Sequence, residues 1–477
     1  MSDRKRPWRR DDGLNLAGYF QAESGVGEHA RTLLEALDAA RIPLAPVPFT
    51  RTRSRLEELP PGTGALPPWF GISLVCVNAD QTPLFLEERP DVREGRHVIG
   101  YWHWEVDEFP PQMAASARLV DEIWTASEHS RVAIAKRVDR PVHVFHPAVS
   151  PPAPAALPEE FLPPGEGTLF LTCFDFDSIV ERKNPGAAIA AYERAFPDPR
   201  SGSRLLVKSI NGHLHPEALA ALRARVGDRP DIRFEDRYLT RREQSALLAA
   251  CDVFVSLHRA EGFGLMLAEA MTFGRLVIAT DYSGSRDFFD ESCGVPIPWS
   301  RVAIPSGCGP YSGTWAEPDV AAAAAAMRSA AADRERARTL GEVARRRIRE
   351  QLSPAARGAA ALSLLERIPV AEPEPVDVAA SVGQQLHHEL ARLTDALGPD
   401  ERAAALRSGW GSFFGRLAGR TGRPEPRRLR AALREAEQEV QRFVPSAAES
   451  PRQAALALAT IRTAARLRYP DGVVPSV

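Results

Sequence analysis

The sequence predicts an α/β fold with two Rossmann-like halves, each a parallel sheet flanked by helices. Short apolar runs typical of buried parallel strands alternate with helical patterns in both halves. In the second half, residues 251–257 form such a run, 264–273 a helix and 275–279 the next strand. A proline-rich stretch separates the halves. We therefore expect an N-terminal domain (1–150), a linker (151–167) and a C-terminal domain (168–368).

The turn after the strand at 251–257 carries Glu261, Gly262 and Gly264, and Glu269 follows inside the helix. Open α/β sheets bind ligands at the carboxyl ends of their strands. Glycines let backbone N–H groups approach a phosphate, and a helix N-terminus favours its negative charge. Glu269 repels a phosphate, but it can accept hydrogen bonds from sugar hydroxyls. The competing interpretation is a surface turn followed by a solvated glutamate.

Composition narrows the class of protein. The 477 residues carry a net charge of −2, which gives no field that would attract nucleic acid. Five scattered cysteines indicate reduced thiols rather than a disulfide framework or a metal site. The basic N-terminus leads into no apolar segment, and no apolar run is long enough to span a bilayer. We expect a cytoplasmic protein.

The first half alternates strands and helices. Residues 14–20 predict a strand, Gly25 and Gly27 a tight turn, and 30–40 a helix. Residues 43–70, rich in Pro, Arg and Gly, predict irregular structure. Later elements follow the same pattern, with strands at 72–77, 96–101, 122–127 and 142–146 and a helix at 128–138.

Trp102, His103, Trp104 and Glu105 follow the strand at 96–101. Aromatic rings beside a histidine and a glutamate could form a wall that faces a sugar. Alternatively, both tryptophans are ordinary packing anchors. The sequence leaves both possibilities open.

A pair of basic residues lies near the start of the second half. Arg182 and Lys183 precede Asn184 and Pro185, which suit the N-cap and first turn of a helix at 186–196. Only four of the 60 basic residues are lysines, so a lysine at a helix start is notable. The pair predicts a diphosphate site; two solvated basic residues are the alternative.

Further elements complete the C-terminal half. A strand is expected at 204–209, and Lys208 lies near its carboxyl end. We therefore expect Lys208 to face the ligand-binding cleft at the carboxyl ends of the strands. Thr240 and Glu243 predict a capping box at the start of a helix. Residues 296–315 predict irregular structure, and the remaining helices are expected at 319–351 and 354–367.

The last part of the chain differs in composition. Residues 401–477 hold 14 arginines and 7 acidic residues, a net charge of +7, with apolar residues at helical spacing. We expect a helical appendage at 386–477. It could contact an anionic membrane or a partner, or it could be a cap that packs on the rest of the protein.

The stretch Glu261-Gly-Phe-Gly-Leu, with Glu269-Ala-Met four residues later, resembles the Glu-x7-Glu signature of retaining GT-B glycosyltransferases, in particular family 4. The resemblance extends over residues 14–367 and is strongest at 170–290. It implies two Rossmann-like domains with the donor between them. It also implies transfer from a nucleotide-diphosphate sugar to a hydroxyl acceptor, such as a glycan or glycolipid of the cell surface, with no metal or other cofactor.

The resemblance also assigns residues. It implies that Glu261 binds the donor sugar, Glu269 the ribose and Lys183 the diphosphate, with His103 near the donor sugar. The other donor-binding candidates are Arg182, Lys208, Gly25, Gly27, Gly262, Phe263, Gly264 and Leu265. Here the chain departs from the common pattern, because Ser178 stands where an arginine is usual. Arg182 is the candidate to replace that arginine.

Two other classes of function share this pattern. A nucleotide-sugar epimerase of the same fold would consume donor without an acceptor. A non-catalytic binder would keep the cleft without turnover, although the presence of both glutamates and both lysines disfavours it.

Overall fold

The computed structural model describes residues 5–56, 70–157 and 161–371, and the secondary structure alternates as expected. The first strands are β1 (Lys5–Pro7), β2 (Leu14–Gly18), β3 (Leu44–Pro48), β4 (Ile72–Cys76), β5 (His97–Trp102), β6 (Glu122–Thr125) and β7 (Val142–Val144). The first helices are α1 (Gly25–Ala39), α2 (Thr82–Glu88), α3 (Pro111–Ala114) and α4 (Glu128–Ala135). The predicted appendage at 386–477 lies outside the described residues.

The later elements begin with the same alternation, and three consecutive helices precede the last described strand. The strands are β8 (Leu169–Asp175), β9 (Arg204–Ile210), β10 (Ile232–Asp236), β11 (Val253–Ser256), β12 (Leu276–Thr280), β13 (Val295–Ile297), β14 (Trp299–Ala303), β15 (Thr314–Pro318) and β16 (Pro369–Ala371). The helices are α5 (Val180–Lys183), α6 (Pro185–Ala195), α7 (Pro216–Val226), α8 (Arg241–Ala250), α9 (Leu265–Thr272), α10 (Val320–Ala332), α11 (Arg334–Leu352) and α12 (Pro354–Leu365).

Two six-stranded sheets carry the fold, and this confirms the prediction of two Rossmann-like parallel sheets. The first has the strand order β3-β2-β4-β5-β6-β7 and the second β10-β9-β8-β11-β12-β13. The pairs β2–β3, β2–β4 and β8–β9 are all parallel. Central strands β2 and β4 are buried along their whole length, which explains their nearly uninterrupted apolar sequences.

Two stretches that were predicted to be irregular form strands. Within 43–70, β3 pairs with β2, and its prolines Pro46 and Pro48 are tolerated because β3 lies at the edge of its sheet. Within 296–315, β14 and the start of β15 form an antiparallel hairpin outside the large sheets. The prediction was wrong at both places because proline and glycine dominated the local pattern.

The helix that follows β2 begins earlier than predicted. Gly25 and Gly27 belong to the first turn of α1 rather than to a loop before it, and the Ser24 side chain accepts a hydrogen bond from the Gly27 amide. A serine at this position is a normal N-cap. The prediction of a separate glycine loop at 25–27 was therefore wrong in its local geometry.

The described residues fall into two compact units. One takes the described parts of Met1–Tyr101, Arg118–Glu122 and Gly358–Val477, and the other takes those of Trp102–Ala117 and Ile123–Arg357. The second unit contains the core cluster in which α6 and α10 pack against the sheet residues Phe170, Val207 and Ile278. No described helix is long and apolar enough to cross a membrane.

Candidate functional site

The turn that carries Glu261 joins β11 to α9 in the second unit, as predicted. Gly264 precedes α9 with φ of +96°, a left-handed conformation that glycine adopts without strain. The Glu261 amide donates to Ser283 Oγ at 2.8 Å, and the Glu261 carbonyl accepts from the Gly284 amide at 2.9 Å. The loop after β12 therefore fixes the backbone of Glu261 on both sides.

Lys183 and Glu261, far apart in sequence, meet in the structure. The ammonium of Lys183 donates to Oε1 of Glu261. Their side chains are 21% and 11% exposed, so the pair is largely enclosed but remains accessible. Two residues that the sequence singled out for donor binding therefore lie at one point.

The charge state of Glu261 follows from its neighbours. Burial by itself raises the pKa of this carboxyl, but the charges of Lys183 and Arg182 outweigh burial and lower the pKa to about 2. Glu261 is therefore ionised at neutral pH and acts as a hydrogen-bond acceptor rather than as a proton donor.

His258 lies beside this pair and was missed by the sequence analysis. Its Nε2 donates to the Tyr282 carbonyl at 3.3 Å, and its Nδ1 lies 3.0 Å from Ser256 Oγ. Burial lowers the pKa of His258 to about 4, so the ring is neutral at pH 7. A lone histidine at the end of an apolar strand gave no signal that separated it from a packing residue.

Arg182 lies directly beside the pair, but its side chain is turned into the protein. Its Nε donates to the Ser178 carbonyl at 3.2 Å and its Nη1 to the Ala260 carbonyl at 2.9 Å. Nη1 is also 3.6 Å from Oε2 of Glu261, and the side chain is only 5% exposed. Most of this guanidinium is thus committed to protein oxygens, whereas the sequence predicted a group that faces a diphosphate.

The helix start at this point differs in detail from the prediction. Arg182 and Lys183 end the short helix α5, and Asn184 adopts φ of +52° before Pro185 begins α6. Asn184 occupies the N-cap position, but its side chain donates to the Leu257 carbonyl at 3.0 Å instead of capping α6. Its role is to tie the loop to the end of β11.

Lys208 is also more enclosed than predicted. It lies within β9, which continues to Ile210, and it is 3% exposed. Its ammonium donates to the carbonyls of Ser209 and Arg237. Burial lowers the pKa of Lys208 to about 8. Lys208 therefore holds the segment that follows β10.

Glu269 is buried within α9, where Nη1 of Arg241 donates to its Oε1 at 2.8 Å. Arg241 begins α8, and the predicted capping box between Thr240 and Glu243 is confirmed at this helix start. The cap fixes the position from which Arg241 reaches Glu269. The Arg241 guanidinium thus helps to orient the carboxylate that was predicted to bind ribose.

The tryptophans at the end of β5 and just after it are packing residues. Trp102 and Trp104 are fully buried and both pack against Phe109, at ring distances of 6.2 and 5.4 Å. His103, which lies between the two tryptophans in the sequence, is also buried. Glu105 differs from its neighbours, because its side chain keeps 20% of its surface exposed.

The remaining predicted site residues occupy varied environments. Phe263 is buried against Phe288 at 4.8 Å, so its ring belongs to the core. Gly262 and Leu265 lie in the turn and at the first position of α9. Gly25 and Gly27 belong to the first unit, in α1.

Asp175 and Asp177 have the spacing of an Asp-x-Asp pair, which often binds a metal. Asp175 Oδ1 accepts from Asn211 at 2.8 Å, and Asp177 Oδ1 lies 2.7 Å from Nε2 of His215. Burial raises the pKa of Asp175. Across the described ranges, no group of three or more His, Cys, Asp or Glu residues could hold a metal ion.

Comparison with known proteins supports the fold described above, with its two parallel sheets. Residues 237–347, which include Glu261 and Glu269, match the family model described as Glycosyl transferases group 1. No curated protein sequence matches the chain.

Two of the solved structures are similar to this chain in fold. Sucrose-phosphate synthase from Thermosynechococcus elongatus has 17% identity and a TM-score of 0.55, with 74% of this chain and 98% of that chain covered. Anabaena HepE, solved with UDP-glucose, has 12% identity and a TM-score of 0.54, with 75% and 100% covered.

A third structure, S. aureus TarM, has 15% identity and a TM-score of 0.46, covering 62% of this chain; the chain spans about half of TarM, 55% of its length. The family match and the parallel sheets lead to one conclusion: residues 237–347 are similar to the Glycosyl transferases group 1 family, and the chain has a GT-B fold.

Proposed function

We propose that the protein is a retaining glycosyltransferase that moves a sugar from a nucleotide-diphosphate donor to a hydroxyl acceptor. The observation that carries the proposal is the contact between the Lys183 ammonium and the Glu261 carboxylate, at the end of β11 and before α6. This edge of a parallel sheet is where such folds bind ligands. The match of residues 237–347 to a glycosyltransferase family supports the same chemistry.

The pair suggests how a donor is accommodated. A diphosphate that enters the site offers Lys183 a stronger anionic partner than a single carboxylate does. Lys183 would then move from Glu261 to the diphosphate, and the ionised Glu261 would be released to accept hydrogen bonds from hydroxyls of the donor sugar. One exchange of partners thus prepares both halves of the donor site.

In this proposal, catalysis comes from stabilising the negative charge that develops on the leaving group. The leaving diphosphate gains negative charge as the bond between the sugar and oxygen breaks. Lys183 and the amides near Gly264 would stabilise that charge. In this proposal the leaving phosphate takes the acceptor proton, so no protein base is assigned. We propose that no metal is needed because Lys183 and these amides supply the positive end of the site; activity should therefore survive EDTA.

The acceptor class and location rest on the resemblance in the sequence. We propose a glycan or glycolipid of the cell surface as acceptor and the cytoplasm as the site of action, with the basic C-terminal region as the candidate membrane contact. A UDP-sugar is the first donor to test, because the similar HepE structure was solved with UDP-glucose.

The proposal can be tested by thermal shift with UDP-, GDP- and ADP-sugars. We expect one nucleotide series to raise Tm at millimolar concentration, followed by transfer to an acceptor with retention at the anomeric carbon, read by NMR. The absence of a shift with every nucleotide would contradict the proposal. Turnover of donor into its epimer without acceptor would assign the protein to the epimerase class instead.

Glu269→Ala should weaken binding of the nucleoside diphosphate by about 10-fold or more, the effect of losing hydrogen bonds to a charged acceptor. Glu269→Asp should recover little of this affinity, because the shorter side chain does not reach the ribose. Calorimetric titration with the free nucleoside diphosphate measures the change. Arg241→Ala serves as a comparison and should cause a smaller loss, because Arg241 only orients Glu269. Unchanged affinity in Glu269→Ala would refute the ribose assignment.

A further inference from the structure

The hairpin formed by β14 and β15, together with its connecting loop at 304–313, is anchored around the candidate site. Arg259, two residues before Glu261, donates to Glu317 at 2.6 Å, and its carbonyl accepts from the Ala316 amide. At the opposite side, Arg301 donates to Asp107 at 3.0 Å. The hairpin therefore connects the Glu261 turn to the segment at 102–108.

The loop of the hairpin brings Tyr311 to this site. Its hydroxyl donates to Oε2 of Glu105 at 2.9 Å, and its ring packs on Trp104 at 5.1 Å. A glycine at 309 allows the loop to approach, since a Cβ there would lie 2.5 Å from Cδ1 of Ile179. Ile179 itself has φ of +64°, a strained conformation for a β-branched residue, just before the helix that carries Lys183.

Glu105 lies beside the same turn as Glu261. Its Cγ lies 3.7 Å from the position that a Cβ on Gly262 would take. Its Oε1 is 4.0 Å from Nη2 of Arg182, which is beyond hydrogen-bond distance, while Nη1 of Arg182 faces Glu261. The two carboxylates therefore lie at the two ends of one buried guanidinium.

The backbone of this segment is fixed, so Glu105 is pre-oriented. The Trp104 carbonyl accepts from Ser130 Oγ, and the Glu105 carbonyl lies 3.0 Å from Nε2 of His129. Tyr311 holds one carboxylate oxygen of Glu105, and the side chain keeps part of its surface exposed. If Glu105 served only as an ion-pair partner of Arg182, we would expect the two side chains to be closer than 4.0 Å.

We propose that Glu105 is a specificity-determining residue of the donor site, where its carboxylate accepts a hydrogen bond from a hydroxyl of the transferred sugar. Tyr311 is a positioning residue that fixes the carboxylate for this contact. This inference rests on the proposed function. It adds to Glu261 a second carboxylate for the hydroxyls of the transferred sugar, outside the Glu261–Glu269 stretch, on a segment that the hairpin holds in place.

The test compares each nucleotide sugar with its free nucleoside diphosphate by calorimetry: UDP-glucose with UDP, GDP-mannose with GDP, and ADP-glucose with ADP. For the pair that the wild-type protein binds, Glu105→Gln should weaken the nucleotide sugar by about 10-fold and leave the free diphosphate unchanged, because a neutral amide oxygen replaces a charged hydrogen-bond acceptor. Glu108→Gln is the matched control. Glu108 lies on the same segment but pairs with Arg137, so both affinities should stay at their wild-type values.

Tyr311→Phe should cause a smaller loss in the same direction, because it keeps the ring on Trp104 and removes only the hydroxyl. Tyr282→Phe is its control, since the Tyr282 hydroxyl contacts Asp107 rather than Glu105. Equal weakening of both ligands in Glu105→Gln, with a lower Tm, would make Glu105 a structural counterion and overturn the inference. Unchanged affinities in Glu105→Gln would overturn it as well, with the proposed function intact. A wild-type protein that binds none of these six ligands would instead refute the proposed function, and the inference with it.

Discussion

Lys183→Ala should lower kcat by about 10²-fold or more, in addition to raising KM for the donor. The structure places the Lys183 ammonium on Glu261, at the carboxyl end of the sheet. In the proposed reaction its charge matters most when the diphosphate leaves, because the negative charge is then greatest. Steady-state kinetics at saturating donor concentration measures this loss. A wild-type kcat with a raised KM would show that Lys183 only binds the substrate.

Two comparisons make this test specific. Lys183→Arg should restore only part of kcat, because the planar guanidinium is longer and differently shaped than the compact ammonium. Lys136→Ala is a matched control, since Lys136 is an exposed lysine at the end of α4. It should retain wild-type kcat and KM. A similar loss in both alanine variants would indicate a general effect of charge rather than a local one.

The fold was largely predictable because parallel strands leave a strong local signal. Residues 251–257 and 275–279 are apolar in sequence, and β11 and β12 lie there as neighbouring parallel strands. β3 was missed because Pro46 and Pro48 suppress the strand pattern, yet an edge strand accepts them. The sequence pattern does not predict a strand whose pairing depends on its position in the sheet rather than on its own residues.

The candidate site was predictable only in part, because side-chain direction depends on distant partners. Lys183 and Glu261 were both singled out from sequence, and they do meet. Arg182 and Lys208 were also singled out from sequence, yet their side chains bind the carbonyls of Ala260 and Arg237. Nothing next to Arg182 or Lys208 in the chain indicates those carbonyls.

Glu105 and Tyr311 show the same limit more strongly. Their positions differ by 206 residues, and only the hairpin of β14 and β15 brings them together. The sequence at 296–315 is rich in glycine and proline, so it predicted no element that could carry a side chain to a defined place. Glu105 was noticed in the sequence, but Tyr311 was missed because it lies on an element that was also missed.

The environment of Arg182 predicts a structural effect that separates it from Lys183. Its guanidinium is buried, donates to two backbone carbonyls and lies between the carboxylates of Glu105 and Glu261. These neighbours raise its pKa above its ordinary value even though burial acts in the opposite direction. Removing it would leave two buried acceptors unpaired and two like charges without a cation between them.

Arg182→Met should therefore lower the free energy of unfolding by about 3–5 kcal/mol, the usual cost of removing one partner from a buried ionic cluster. Lys183→Met is the matched control and should lose much less, because its side chain is more exposed and Glu261 keeps Arg182 as a cationic neighbour. Urea unfolding followed by tryptophan fluorescence measures both, and Trp104, Trp299 and Trp315 report on the second unit. An Arg182→Met variant with wild-type unfolding and no affinity for a nucleoside diphosphate would contradict the structural role. It would assign Arg182 to the diphosphate, because a guanidinium that is not needed for folding and is needed for binding must reach the ligand.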